Sequence, residues 1–189
     1  NKDLFNELGL PNLYTLQEND NWTWDEFKEI CIDASVDTNG DGQNDIYGFS
    51  ATRIQTKVMS EFPYQMIYSN GGRLTRLEEG KVIFNLDTPK ALEALKFVNN
   101  LKQEDLLYRN ADFSDKFKSG HIAMLGARNL EIETFSTEGN MMKDDFGFVP
   151  YPKGPSYDEY VNVDVDKLSL AYLPITAKQP EALFELTNA

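Results

Sequence analysis

Apolar residues recur along this chain at two spacings, one helical and one alternating, separated by short glycine-rich and polar joints. Trp24, Phe27, Ile30, Cys31 and Ala34 fall on one face of a helix. That helix has its own start signal. In "TWDEF", Thr23 can cap the first turn and Glu26, three residues on, can reach back to it. Residues 57 to 69 read as a further apolar-rich helix ending at "NGG". "DTPKALEALKFVNNLKQ" opens on a capping residue, Asp87 or Thr88, with Pro89 in the first turn; Leu92, Leu95, Val98 and Leu101 form its expected inner stripe. "FSDKFKSG" is a short helix closed by Gly120, and "NKDLFNELGLP" is one closing on Gly9.

Between these lie strand-like runs: "YGFSA" (47–51), "KVIFN" (81–85), "HIAML" (121–125), "FGFVPY" (146–151) and "LSLAYL" (168–173). Helices and strands alternate, which predicts an α/β fold with a small mixed sheet flanked by helices. No repeat, low-complexity tract or linker divides the chain, so residues 1–189 read as one domain. The stretch 150–160, "PYPKGPSYDEY", reads as a long turn-rich loop. The opening residues read as the middle of a protein, and "QPEALFELTNA" begins a helix at Pro180 and stops almost at once. The expectation is a piece of a longer chain.

Composition narrows the chemistry. A hydrophobic content of 41% with 12% aromatic residues is ample for a packed core. The formal net charge of −13 argues against nucleic acid and against an anionic membrane surface, and is compatible with a neutral or cationic ligand. The single cysteine, Cys31, sits on the apolar face of its helix and reads as a small buried hydrophobe. The single histidine, His121, stands far from it at the start of a strand, where packing is the expected role. No run of apolar residues is long enough to cross a membrane as a helix.

The loop "DTNGDGQNDIYG" carries candidate metal chemistry. Asp37, Asn39 and Asp41 take positions 1, 3 and 5 of a calcium loop, Gly42 the turn at position 6, Gln43 position 7 and Asp45 position 9. Gly48 stands at position 12, where a bidentate glutamate belongs, and Asn44 replaces the usual apolar residue at position 8. Two readings stand: a structural calcium site completed by another oxygen, and an Asx-Gly turn joining a helix to the strand at 47–51.

Several pieces in order resemble the extracellular solute-binding proteins of ABC importers, in their maltose-binding-protein-like group. These are "NKDLFNELGLP", "TWDEF", "SNGG" before a strand, "LDTPKALEALKFVNNL", "FKSGHIAMLGAR", "FGFVPYPKGP" and "LPITAKQPEALFEL". The resemblance covers nearly the whole chain, and "FKSGHIAM" with "FVPYPKGP" are its more specific parts. It implies a periplasmic-binding-protein fold of type II, two α/β lobes hinged about a cleft. This chain would be most of the C-terminal lobe, without the first lobe and the C-terminal tail. It further implies a non-enzymatic, monomeric protein outside the cell or in the periplasm, lipid-anchored at full length. Such a protein hands a small solute, a sugar or oligosaccharide, to a membrane permease.

Three loops match the family's cleft-facing segments. The first offers Glu61, Phe62 and Tyr64, the second Arg128 and Asn129, the third Asp164, Asp166 and Ser169. Where maltodextrin binders carry an aromatic, Arg128 and Asn129 stand here, which implies a more polar ligand. Each residue also has a plainer reading: Phe62 and Tyr64 as core, Asp164 and Asp166 as solvated surface, Arg128 paired with Glu131 or Glu133 on its own helix. Two other classes compete: a carboxylate-based glycoside hydrolase and a calcium-dependent protein-interaction module. No motif frames two carboxylates, and the calcium-type loop occurs once.

Overall fold

The structure is a computed structural model and describes residues 1–51, 54, 61–127, 135, 142–163 and 178–179. The expected strand at 168–173, the C-terminal helix from Pro180 and the first four residues of the expected 57–69 helix lie outside them. The elements run α1 (Lys2–Glu7), α2 (Leu13–Glu18), α3 (Trp24–Asp33), β1 (Tyr47–Ala51), α4 (Glu61–Ser69), β2 (Thr75–Glu78), β3 (Lys81–Phe84), α5 (Pro89–Gln103), α6 (Phe113–Lys118) and β4 (Ile122–Gly126). The α/β alternation is present. Among the described residues the strands form two separate small sheets. β1 and β4 pair in parallel, with Phe49 opposite Met124, and β2 and β3 form an antiparallel hairpin. An isolated parallel bridge from Phe49 to Leu107 extends the first sheet on its other side.

α3 behaves as its pattern requires. Thr23 accepts a hydrogen bond from the Glu26 amide at 3.4 Å, and Trp24, Phe27, Ile30, Cys31 and Ala34 are all buried. The helix lies directly on β1. A Cβ at Gly48 would stand 2.4 Å from Cys31 Cα, so only glycine lets the two backbones approach this closely. The core then builds outward through aromatic contacts. Phe27 meets Phe49 edge-on at 5.1 Å, Phe49 meets Phe62 at 4.7 Å, and Trp24 stacks on Phe97 at 4.6 Å. Burial raises the Cys31 thiol well above its ordinary pKa, which leaves it an inert hydrophobe.

Three expectations need correction. In α5 the fully buried positions are Ala91, Ala94 and Leu101, whereas Leu92 is 44% exposed. The alanines face α4, its contacting helix, and their small side chains permit close packing. Thr88 occupies the N-cap position, but its hydroxyl donates to the Asn85 carbonyl instead of capping the helix. The stretch 146–151 is not a strand. It is an extended strap held by successive partners from elsewhere. The Phe148 amide donates to the Tyr14 hydroxyl at 3.1 Å, Trp22 Nε1 donates to the Pro150 carbonyl at 2.8 Å, and the Lys153 amide donates to the Trp22 carbonyl at 3.0 Å. These partners sit on irregular backbone and side chains, so no ladder forms. α2 was not foreseen, and β2 is the strand expected, without bounds, after "SNGG". Asn12 caps α2 through the amides of Tyr14 and Thr15.

The strap ends where two of the chain's distinctive motifs meet. The Gly154 amide donates to the Ser69 carbonyl at 3.0 Å, and the Ser156 amide to Asn70 Oδ1 at 2.9 Å. Asn70, fully buried, donates through Nδ2 to the Lys90 carbonyl at 3.0 Å and to Glu93 Oε2 at 2.8 Å. "SNGG" and "PKGPS" are thus a rivet joining α4, α5 and the strap, with both ends of the Asn70 carboxamide used.

Candidate ligand cavity

A cavity of about 1010 Å³ opens beside the carboxyl end of β4. Its wall includes the first turns of α4 (Glu61, Gln65), the end of β4 (Gly126, Ala127), the strap (Phe146 to Pro152), the pair Asn162 and Val163, and the α1–α2 region (Asn6, Asn12, Tyr14), with aromatic rings such as Phe27, Phe49 and Phe117 reaching it from the core. β4 delivers Gly126 to this position because its first residues, Ile122 and Ala123, are locked into the core. α4 delivers Glu61 because Phe62 and Met66, one and five residues on, anchor the helix.

Gly126 and Tyr151 meet closely. A Cβ at Gly126 would stand 2.3 Å from the Tyr151 hydroxyl, so the phenol lies where any larger residue would project. Burial, and after it the nearby Glu61 carboxylate, push the Tyr151 hydroxyl well above the ordinary tyrosine pKa. It therefore stays protonated and able to donate. The Tyr151 amide donates to Asn162 Oδ1 at 2.9 Å. Gln65 spends both ends of its carboxamide on Val163: Nε2 donates to the carbonyl, and Oε1 accepts from the amide at 2.9 Å. Toward the mouth the lining is aromatic. Phe148, 56% exposed, meets Phe146 edge-on at 5.6 Å, and Tyr14 stands beside the strap.

The charge balance of the wall differs from that of the chain. Among the described lining residues Glu61 has the only acidic side chain and Lys2 the only basic one, and Lys2 is paired with Asp145. The remaining polar groups are carboxamides and phenols. A surface of aromatic faces, amides and one carboxylate suits a neutral molecule with many hydroxyls better than a multiply charged one.

The expected site residues separate. Glu61 lines the cavity. Phe62 does not: it is fully buried between Phe49 and Phe27, because its place on α4 turns it into the core. Tyr64 is half-buried on α4 and is not among the residues that line the cavity. Arg128, Asn129, Asp164, Asp166 and Ser169 lie outside the described residues. Ala127 and Val163, which immediately precede those two stretches, both line the cavity. Tyr151, Gln65, Asn162 and Phe148 were not foreseen. Gln65 alone had a usable signal, since it is a polar residue on the apolar face that Phe62, Met66 and Ser69 share.

The 37–45 loop lies apart from this cavity and is exposed from Thr38 to Gln43. Asp37 accepts from the amides of Asn39 (3.2 Å), Gly40 (2.7 Å) and Gly42 (2.8 Å); Asn39 Oδ1 accepts from Asp41, and Asp41 Oδ1 from Gln43, both at 2.9 Å. Asp45 accepts from the amide and hydroxyl of Thr38. These bonds hold Asp37 and Asp45 below the ordinary carboxylate pKa, led by the Gly42 amide for Asp37 and the Thr38 hydroxyl for Asp45. Gly42 takes φ +84°, the left-handed turn that the motif requires. All the donors that the motif offers are oxygens, a set that suits calcium. Among the described residues no three His, Cys, Asp or Glu side chains are grouped as a metal site.

No protein-family model matches the sequence, and no curated protein matches it significantly. Solved structures do. A maltose-bound protein of T. maritima superposes with a TM-score of 0.57 at 23% identity, over 82% of this chain and 37% of that one. The maltose/maltodextrin-binding domain of Bdellovibrio bacteriovorus, bound to maltotriose, gives 0.54 at 22% identity, over 74% of this chain and 35% of that one. An ABC transporter solute-binding protein of Thermotoga lettingae, bound to alpha-D-tagatose, gives 0.50 at 24% identity, over 66% and 30%. The chain therefore has the fold of part of a periplasmic-binding-protein-type structure, and it spans about a third of the length of the proteins it matches.

Proposed function

We propose that this chain is part of a solute-binding protein outside the cell or in the periplasm that captures a sugar or oligosaccharide and presents it to an ABC importer. The observation that carries the proposal is the cavity: about 1010 Å³, lined by aromatic faces, carboxamides and a single carboxylate, in a fold whose solved examples hold neutral sugars. Glu61 would accept from sugar hydroxyls, the Tyr151 hydroxyl would donate, and Phe148 and Tyr14 would cover the apolar face of a ring. In a longer, two-lobed protein, closure would add contacts from the other lobe, favoured by the extra binding energy of the closed state. A hydrolase needs two carboxylates flanking the bond it breaks, and Glu61 is the one carboxylate on the cavity among the described residues. Calcium belongs to the proposal only as a structural ion on Asp37, Asn39, Asp41, Gln43 and Asp45, supported by their spacing and oxygen chemistry.

Saturation-transfer NMR of this chain with maltose, maltotriose and tagatose, beside spermidine and a dipeptide, tests the reading. Neutral sugars bind, at roughly millimolar strength because the contacts of a second lobe are missing. Binding of the polyamine or peptide in place of sugars overturns the proposal, and so does hydrolysis of any of the sugars.

A further inference from the structure

Gln65 is the polar residue that α4 buries where its pattern calls for an apolar one. Phe62, Gln65, Met66 and Ser69 share the inward face of the helix, and Gln65 is only 8% exposed. A carboxamide in that position is costly unless both its ends are bonded. Both are, and to a single residue 98 positions away: the Val163 amide and carbonyl. The side chain thereby makes the paired N–H···O exchange that a neighbouring strand would make, on a segment that pairs with no strand among the described residues. On the adjoining residue, Asn162 Oδ1 takes the Tyr151 amide. Gln65, Tyr151, Asn162 and Val163 all line the ligand cavity.

We infer that Gln65 is a positioning residue, a latch that fixes the 162–163 wall of the cavity against α4 and so sets the width open to a solute. The part that concerns a solute rests on the function proposed above. The latch itself does not, because it is a property of the chain without ligand.

Amide exchange at Val163, expressed as protection against the free-chain rate, reads the latch directly. Gln65→Met keeps the length and volume and removes both hydrogen bonds. Protection at Val163 falls roughly ten- to a hundredfold, while Met66 and Ile67 within α4 keep theirs. Gln65→Glu supplies the control that separates bonding from packing, since it keeps the length of the side chain and an oxygen in the place of Oε1. Near pH 4 its carboxyl offers the Val163 amide an acceptor whether ionised or not, and offers the Val163 carbonyl a donor when protonated, so protection at Val163 stays above that of Gln65→Met. Undiminished protection in Gln65→Met, protection in Gln65→Glu no higher than in Gln65→Met, or a uniform loss across α4 overturns the latch. With maltotriose as probe, the affinity falls in Gln65→Met, and saturating sugar adds protection at Val163 in the unaltered chain. Unchanged affinity beside a loosened Val163 overturns the width-setting role. Failure of the unaltered chain to bind any sugar overturns the proposed function instead, and exchange alone then decides the latch.

Discussion

Replacing Gly126 by alanine tests the geometry of the cavity without any ligand. The backbone at Gly126 is not left-handed, so alanine is conformationally allowed there, and by itself would stabilise slightly through the unfolded chain. Contacts decide the sign. The new methyl would lie 2.3 Å from the Tyr151 hydroxyl, 3.0 Å from Phe49 Cζ and 3.2 Å from Ala51 Cβ, against an ordinary contact of 3.4–4 Å. The hydroxyl must therefore withdraw by about 1 Å or more. It cannot do so freely, since its backbone is tied to Asn162 and its ring lies 6.3 Å from Phe62. Overpacking of this kind costs about 1–3 kcal/mol, which for a chain of this length lowers Tm by roughly 2–12 °C. Tyr151→Phe removes the offending oxygen. In that background Gly126→Ala costs at least about 1 kcal/mol less than in the unaltered chain, with the residual cost left by Phe49 and Ala51. Denaturant unfolding of the four proteins gives the interaction energy. A cost of Gly126→Ala that is the same in both backgrounds refutes the close approach, and with it the placement of Tyr151 over the end of β4.

Asn70→Ala leaves the Ser156 amide and the Lys90 carbonyl without their partner in a buried joint, and destabilises by about 1–3 kcal/mol; an unchanged midpoint in urea would remove Asn70 as the rivet. The folded pKa values of Asp37 and Asp45 lie below their unfolded values, so their contribution to stability is complete above the unfolded value, near pH 4, and is lost as pH falls through the lowered folded values. Amide exchange at Gly40 and Gly42 accelerates over that acid range beyond its intrinsic pH dependence, and a protection factor that stays flat down to pH 2 contradicts the bonding described. Millimolar calcium raises Tm in the unaltered chain and not in Asp41→Ala; no rise at all leaves the loop an Asx turn alone.

Some of the motifs that make this sequence resemble solute-binding proteins are structural, while "FGFVPYPKGP" and the end of "FKSGHIAMLGAR" supply Phe146 to Pro152, Gly126 and Ala127 to the cavity wall. "TWDEF" caps α3, while "SNGG" and "PKGPS" lock α4, α5 and the strap to one another. Thr23, Glu26, Ser69, Asn70, Gly154 and Ser156 are not among the residues that line the cavity. A buried asparagine with both amide functions committed tolerates few replacements. The resemblance therefore speaks both to the joints of the fold and to two segments of the cavity wall.

What the sequence determined by itself is what neighbours along the chain decide. The apolar face of α3, the cap at Thr23, the helix ends at Gly9 and Gly120 and the three strands β1, β3 and β4 rest on periods of two or 3.6 residues and on local turns, and each is where its pattern puts it. Tertiary structure decided the rest, because the deciding partners are remote. The strap at 146–151 alternates like a strand, but its partners are Tyr14 and Trp22, over 120 residues away, and they offer no ladder. The inward face of α5 turned to Ala91 and Ala94 because α4 lies against it, which no property of α5 alone specifies. Phe62 and Glu61 are adjacent in sequence, yet one fills the core and the other faces the cavity, since the angle at which α4 meets β1 and the strap sets that division. Gln65 finds Val163 only once the chain has folded back over 98 residues, and the cavity exists only where these distant segments close around it.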